Sequence, residues 1–141
     1  MQMQADYLDA HERHLSDAER LFAAQRWANA DHLYGLAAEC GLKRLMRAFG
    51  MPFDSKMDRP QEKNDRVHAN GIWERFESYR SGHQNGTAYA LPEESPFANW
   101  HINERYAHQS HFELSRVEHH QKGALMVAGL ITKAKHEGLL P

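Results

Sequence analysis

The sequence contains a single cysteine, Cys40, which excludes an intramolecular disulfide bond and a zinc site built from several thiolates. Because Cys40 stands among apolar residues, we interpret it as a small buried hydrophobic residue. Long apolar runs are also lacking, so no segment is predicted to cross a membrane. The first sixteen residues, MQMQADYLDAHERHLS, show no basic region followed by an apolar block. We therefore expect no secretory signal and a cytoplasmic protein.

The chain also lacks an excess of positive charge and the residues typical of strands. Lysine and arginine total 17 against 19 aspartates and glutamates, and this net charge of −2 argues against a protein that coats long polyanions. Valine occurs only at positions 67, 117 and 127, and no stretch alternates between apolar and polar residues as a half-buried strand does. The sequence therefore favours a protein without a substantial β-sheet.

Helical periodicity, by contrast, is present along most of the chain. Apolar residues recur at spacings of three and four in four segments, which predicts four helices. They are residues 5–25, residues 29–49, a segment that starts near Pro60 and buries Ala69, Ile72, Phe76 and Tyr79, and a last segment that Gly138 closes. Residues 80–99 are rich in Gly, Pro, Asn and Ser and form a long connection. We predict one all-α domain over residues 1–141, an up-and-down bundle of four or five helices.

Histidine is unusually abundant, and it clusters before and inside the last predicted helix. The chain has 11 histidines, of which five fall within twenty residues: His101, His108, His111, His119 and His120. Ser110 with Glu113 three residues later matches a capping box, which predicts that the last helix begins at His111. A histidine in that first turn lies near unpaired backbone N–H groups, which favour a neutral ring and a bound anion. We expect His119 and His120 to face solvent or a dimer partner.

Two motifs occur in order along the chain. Residues 31–46 read DHLYGLAAECGLKRLM, and residues 105–111 read RYAHQSH, in which five residues separate Arg105 from His111. The first is similar to the helix of the HEPN superfamily that carries a Tyr-x-x-Ala-Ala-Glu-Cys-x-Leu-Lys run, and the second matches the Arg-x(4–6)-His motif of that family. Residues 70–76, NGIWERF, and the long connection to Trp100 stand where the family has its third helix and the loop after it. The resemblance covers essentially the whole chain.

The resemblance implies an HEPN-like helical bundle that dimerises, with two Arg/His pairs meeting across the dimer axis. Many members are metal-independent endoribonucleases of toxin–antitoxin, phage-defence or RNA-processing systems. We therefore expect RNA, single-stranded rather than long duplex, as substrate, no cofactor, and an antitoxin or defence-system protein as a further partner. Other members have lost catalysis and bind a nucleotide or a protein, and the sequence leaves this alternative open. In toxins silenced by a nucleotidyltransferase, a tyrosine stands two residues beyond the motif histidine. Glu113 occupies that position here, so regulation by a nucleotidyltransferase is not predicted.

The chemistry of RNA cleavage suggests a role for each residue of the motif segment. Histidine suits proton transfer because its pKa lies near neutrality, and arginine suits a phosphate because its charged fork binds two oxygens. His111 is the predicted acid–base residue, Arg105 the phosphate clamp and His108 a second proton-transfer group. The side chains expected to orient substrate oxygens are Asn103, Gln109 and Ser110.

Arg105 and two further candidate residues, Glu39 and Tyr106, each have a structural alternative. Arg105 could form an ion pair with Glu104, or with an acidic group on another helix, rather than bind phosphate. Glu39 could orient Arg105, as the resemblance implies, or pair with Lys43 one helical turn away. Tyr106 could stack on a base, or anchor the core or an interface as Trp100 would.

A metal site is the alternative from a different functional class. If residues 101–111 were one continuous helix, Glu104, His108 and His111 would lie on one face and could bind zinc or iron. The capping box at Ser110 argues against that helix, and no Glu-x-x-His repeat occurs in the other helices.

Overall fold

The computed structural model describes residues 2–141, and most of them belong to four α-helices. The helices are α1 (Tyr7–Ala23), α2 (Trp27–Ala48), α3 (Ala69–Ser81) and α4 (Leu114–His136). Within these residues the β-structure is one antiparallel hairpin of two-residue strands, β1 (Phe53–Asp54) and β2 (Arg59–Pro60). The predicted all-α bundle is confirmed. None of these helices combines the length and the apolar composition needed to span a bilayer.

Helices α1, α2 and α4 approach one another closely at Gly41 of α2. A Cβ atom at this position would lie 2.7 Å from Nδ1 of His11 in α1 and 2.6 Å from Cγ1 of Val127 in α4. A larger residue would therefore push the three helices apart. His11 itself is buried, and its Nδ1 atom lies 2.7 Å from the carbonyl oxygen of Ala37, so the interior ring nitrogen has a partner.

Side-chain contacts give the directions of these three helices. The contacts are Glu19–Gln121 and Glu12–Lys135 between α1 and α4, and Asp31–Arg116 and Gly41–Val127 between α2 and α4. Helix α1 is thus antiparallel to α4, whereas α2 runs parallel to α4. As a result, the start of α2 and the start of α4 lie at the same end of the bundle.

Helix α3 begins at Ala69, later than predicted. Pro60 does not open a helix because it pairs with Phe53 in the hairpin and its carbonyl oxygen accepts a hydrogen bond from the Arg66 side chain. A short 3₁₀ turn follows, and its Asp65 is fully buried under hydrogen bonds from two side chains of α3. The residues before Ala69 therefore form a hairpin and a turn, and the turn is tied to α3.

Helix α4 begins at Leu114, so the predicted start at His111 is wrong. The capping box between Ser110 and Glu113 does not form, and Glu113 occupies the N-cap position without a side-chain hydrogen bond. The reason is local competition, because the backbone N–H of Ser110 donates to Nδ1 of His108 and closes a 3₁₀ turn instead.

The predicted connection between α3 and α4 is long, as expected, and covers residues 82–113. It contains three 3₁₀ turns, Gly86–Tyr89, Ile102–Tyr106 and Gln109–His111. Its aromatic side chains enter the core and hold it against the helices: Tyr89, Phe97, Trp100 and Phe112. This connection carries most of the residues that the sequence selects.

Candidate functional site

The segment from Trp100 to Phe112 is held at both ends by buried aromatic rings. Trp100 is 1% exposed and its Nε1–H donates to the backbone carbonyl of Asp31 at 3.2 Å. Its indole fits against α2 because Gly35 has no side chain there; a Cβ atom would lie 2.1 Å from the ring. The ring of His32 stacks on Trp100 at 5.5 Å, and Phe112 is buried at the other end. Trp100 is therefore a core anchor rather than a platform for bases.

Arg105 is exposed between these anchors. Its Nη1–H donates to the Ile102 carbonyl oxygen at 3.2 Å, and its guanidinium lies 4.7 Å from the centre of the Tyr106 ring. Glu104 pairs with Arg116 at 3.3 Å, and no carboxylate among residues 2–141 pairs with Arg105. The alternative of an ion pair between Arg105 and Glu104 is thus wrong. Tyr106 is 76% exposed and anchors no core.

His108 and His111 bracket the second 3₁₀ turn of the segment, and both are exposed. His108 is the N-cap residue of this turn; its Nδ1 atom accepts the Ser110 N–H at 3.2 Å and lies 2.9 Å from the Ser110 hydroxyl oxygen. These contacts occupy Nδ1 of His108, whereas its Nε2 atom makes no hydrogen bond within residues 2–141. Ser110 therefore orients a histidine in this structure. Asn103 and Gln109 are exposed as well.

A groove of about 530 Å³ separates part of this segment from the turn between α1 and α2. It is lined by residues 25–29 on one side and residues 107–110 on the other. Asn103, Arg105 and His111 do not line it. The backbone N–H groups at the start of α2 have no intrahelical acceptor, and the N-cap residue Arg26 provides no side-chain cap. The groove wall opposite His108 is consequently rich in hydrogen-bond donors.

The alternative metal site is not formed. Residues 101–111 are two 3₁₀ turns rather than one helix, so Glu104 points inward while His108 and His111 face solvent. In the part of the chain that the structure describes, no three His, Cys, Asp or Glu side chains converge as metal ligands would.

Glu39 lies away from the motif segment, and the expectation that it orients Arg105 is wrong. Its carboxylate accepts a hydrogen bond from Lys43 at 2.9 Å and lies 3.1 Å from Nδ1 of His68. The predicted pair with Lys43 is formed, but both residues are only 7% exposed, so it is a buried pair rather than a surface pair. Burial alone would raise the pKa of Glu39; the hydrogen bonds from His68 and Lys43 outweigh it and hold the pKa below its ordinary value. Half-buried Cys40 beside it has a pKa raised to about 12, mainly by burial.

Beneath the motif segment lies a buried polar network that joins α2, α4 and the connection. His120 is 0% exposed; its Nδ1 atom lies 2.6 Å from Oδ1 of Asp31 and its Nε2 atom 2.8 Å from the Asn99 side chain. Arg116 lies 3.4 Å from Oδ2 of Asp31, and it also donates to Glu104 and to the Asn99 carbonyl oxygen. The expectation that His120 faces solvent or a dimer partner is wrong, because the fully buried Asp31 carboxylate takes its ring N–H.

The protonation states in this network follow from burial. Burial and the neighbouring Asp31 raise the pKa of Glu104 to about 8, so its carboxyl group is mostly neutral at pH 7. Burial raises the pKa of Asp31 too, while a hydrogen bond from Glu104 and the charge of Arg116 oppose that increase. Burial and Arg116 lower the pKa of His120 to about 4, so this ring is neutral and donates from Nδ1 to Asp31. Its Nε2 atom is then an acceptor, which requires the Asn99 amide to present its NH₂ group rather than its oxygen at this contact.

The sequence reading missed Asp31, Arg116 and His120 as members of one cluster. A signal was present, since His120 stands three residues after Val117 and four before Ala124, on the face of α4 that is buried. A histidine at such a position requires a hydrogen-bonding partner from another helix. The exposed side chains above the cluster offer a cation and two imidazoles, a set suited to phosphate binding and proton transfer.

Comparison with known proteins adds no relative: no family model, no curated protein and no solved structure matches this chain.

Proposed function

We propose that the chain is a metal-independent endoribonuclease of HEPN type. The proposal is supported by the resemblance in sequence and by one structural observation. Arg105, His108 and His111 are all exposed on one short segment that buried aromatic residues fix at both ends. The Arg105 guanidinium keeps N–H groups for a phosphate because no carboxylate among residues 2–141 pairs with it.

Cleavage then proceeds by attack of the ribose 2′-oxygen on the adjacent phosphorus. His111, as a neutral imidazole, removes the 2′-OH proton while Arg105 binds the phosphoryl oxygens that gain charge. The bond from phosphorus to the 5′-oxygen breaks, and protonated His108 supplies a proton to that leaving oxygen. The products are a 2′,3′-cyclic phosphate and a 5′-hydroxyl, and no metal takes part in any step.

The proposed substrate is single-stranded RNA, and the proposed active form is a homodimer in the cytoplasm. With a net charge of −2, the chain has no overall excess of the positive charge on which binding of long duplexes depends. A second copy brings a second Arg105 and His111, so that groups from both chains serve one scissile phosphate. A toxin–antitoxin or phage-defence setting, with a protein partner that controls cleavage, completes the proposal.

The direct test is RNA cleavage by purified variants. We expect Arg105→Ala and His111→Ala each to lower cleavage of total cellular RNA at least a hundredfold, because each removes a group that acts in the transition state. Arg20→Ala and His119→Ala change exposed residues of the same types on α1 and α4 and serve as matched controls that retain activity. Circular dichroism verifies that all four variants are folded. Full cleavage by either motif variant rejects the assignment.

Two further measurements separate the proposal from its alternatives. Cleavage should persist in EDTA; loss on chelation with recovery on added zinc, manganese or iron contradicts the metal-independent mechanism. Light scattering on an active preparation should give a dimer at micromolar concentration, and a monomer excludes the shared site. If wild-type protein binds RNA or nucleotides without cleaving them, the non-catalytic HEPN module replaces the enzyme.

A further inference from the structure

Glu104 is the one inward-facing residue in the stretch that carries the proposed ribonuclease groups. From Asn103 to His111, the described residues are exposed except Glu104, whose side chain is 6% exposed. Its Oε1 atom accepts the backbone N–H of His101 at 3.2 Å and a hydrogen bond from Arg116 of α4 at 3.3 Å. Glu104 therefore ties the 3₁₀ turn that bears Arg105 to the helical core.

The second oxygen of this carboxyl group has no donor. Oε2 of Glu104 is buried, and no donor among residues 2–141 reaches it. The nearby Asp31 carboxyl group, which is within hydrogen-bonding reach, is fully buried as well. If both carboxyl groups were ionised, Arg116 would be the single permanent cation beside them. One buried negative charge would then remain uncompensated, which is costly. One proton on Oε2 removes that charge and converts the unpaired oxygen into a donor to Asp31.

We propose that Glu104, protonated and hydrogen-bonded to Asp31, is the positioning residue that holds Arg105 and the motif histidines in place, and that loss of this one proton releases their segment. The effect on catalysis rests on the function proposed above, whereas the release of the segment does not. Glu104 acts through Arg105 and its neighbours and touches no substrate.

The groups that face Glu104 from each packed element determine how it responds to pH. They are Asp31 and His32 from α2, Arg116 and His120 from α4, and His101 and Arg105 from its own turn. His32 and His120 have pKa values lowered mainly by burial, so neither gains a proton when Glu104 loses one above pH 7. Once Glu104 has lost its proton, Arg116 faces two negatively charged carboxylates, Asp31 and Glu104. Repulsion between Asp31 and ionised Glu104 then pushes the turn outward, where water can solvate the charge.

Hydrogen–deuterium exchange of the segment, measured without RNA at pH 6 and pH 9, tests this inference. After correction for the intrinsic pH dependence of exchange, we expect residues 101–111 of the wild type to exchange at least tenfold faster at pH 9. Glu104→Gln retains an oxygen acceptor and an N–H donor but cannot ionise, so its segment should be equally protected at both pH values. Glu113→Gln alters an exposed glutamate of the same connection and should behave as the wild type. Equal protection of the wild type at both pH values, or the same acceleration in Glu104→Gln, overturns the inference.

A cleavage assay on the same samples keeps the two proposals apart. If Glu104 positions the site, the wild type should lose activity between pH 7 and pH 9 and Glu104→Gln should lose at least fivefold less. If exchange responds as expected but neither protein cleaves RNA, the positioning role stands and the ribonuclease function fails. If both proteins cleave RNA with identical pH profiles and exchange is flat, the ribonuclease stands and the role of Glu104 is rejected.

Discussion

Raising the pH from 6.5 to 8.5 is predicted to destabilise the wild type relative to a variant that cannot ionise at position 104, because the buried Glu104 carboxyl group loses its proton in this range. The pKa of this group is about 8 in the folded chain, against 4.5 as its ordinary value. Between these values the folded chain holds a proton that the unfolded chain has released. Each pH unit in that interval therefore costs about 1.4 kcal/mol of unfolding free energy.

Four histidines with lowered pKa values act in the opposite direction. The pKa of His120 is lowered to about 4 from 6.5, mainly by burial, and the pKa values of His11, His14 and His32 are lowered for the same reason. At pH 6.5 these rings are still half protonated in the unfolded chain, so their contribution to stability rises with pH until about pH 7.5 and offsets much of the loss from Glu104. The Glu104 contribution itself, about 2 kcal/mol from pH 6.5 to 8.5, is the amount by which the wild type falls below a variant that cannot ionise at this position.

Urea denaturation followed by tryptophan fluorescence at half-unit pH steps measures this loss. Between pH 6.5 and 8.5, the free energy of unfolding of the wild type should fall by about 2 kcal/mol relative to that of Glu104→Gln, with a nearly constant m-value. Glu104→Gln should keep the rise that the histidines cause, and Glu113→Gln should follow the wild type. Parallel profiles of the wild type and Glu104→Gln over this range would refute the assignment of a neutral buried carboxyl group.

Two further substitutions test the packing of the bundle by urea denaturation at pH 7. Lys43→Met should destabilise the fold by about 3 kcal/mol because it leaves Glu39 buried without its main cation. Adding Glu39→Leu to this variant should restore most of the lost stability. Additive losses from the two substitutions would contradict the role of a buried ion pair. Gly41→Ala should cost about 1–3 kcal/mol because its Cβ atom meets α1 and α4, whereas Gly129→Ala, where no atom lies within 4 Å, should be neutral or stabilising. Equal effects of the two glycine substitutions would show that the close approach is not constrained.

Apolar spacing predicted the helices well because burial of one face is what holds each of them. The predicted segment 5–25 differs from α1 by two residues at each end. The predicted segment 29–49 begins two residues after the start of α2. The predicted starts near Pro60 and at His111 failed because nearby polar groups compete for the same backbone. Arg66 takes the carbonyl oxygen of Pro60, and the ring of His108 takes the Ser110 N–H that the capping box would pair with the Glu113 side chain.

The candidate site was predictable in its exposed layer and not in its buried one. Arg105, His108 and His111 lie close in sequence, so their common segment could be recognised from the motif. Asp31 and His120 are 89 residues apart, and only the tertiary packing of α2 on α4 brings them together. Gln121, the next residue after His120, reaches Glu19 at the edge of the bundle, because a shift of one residue turns the side chain by about 100° around the helix.

The parallel arrangement of α2 and α4 brings two helix amino ends to one end of this acidic protein. The amino end of each helix carries about half a positive elementary charge, and the carboxyl end of α1 at the same place offsets only one of them. Neither first turn contains an acidic residue, but the N-cap residue of α4 is the exposed Glu113, whose charge opposes the dipole of that helix. We therefore expect the amino end of α2, beside the groove that His108 lines, to attract a phosphate group more strongly than the amino end of α4 does.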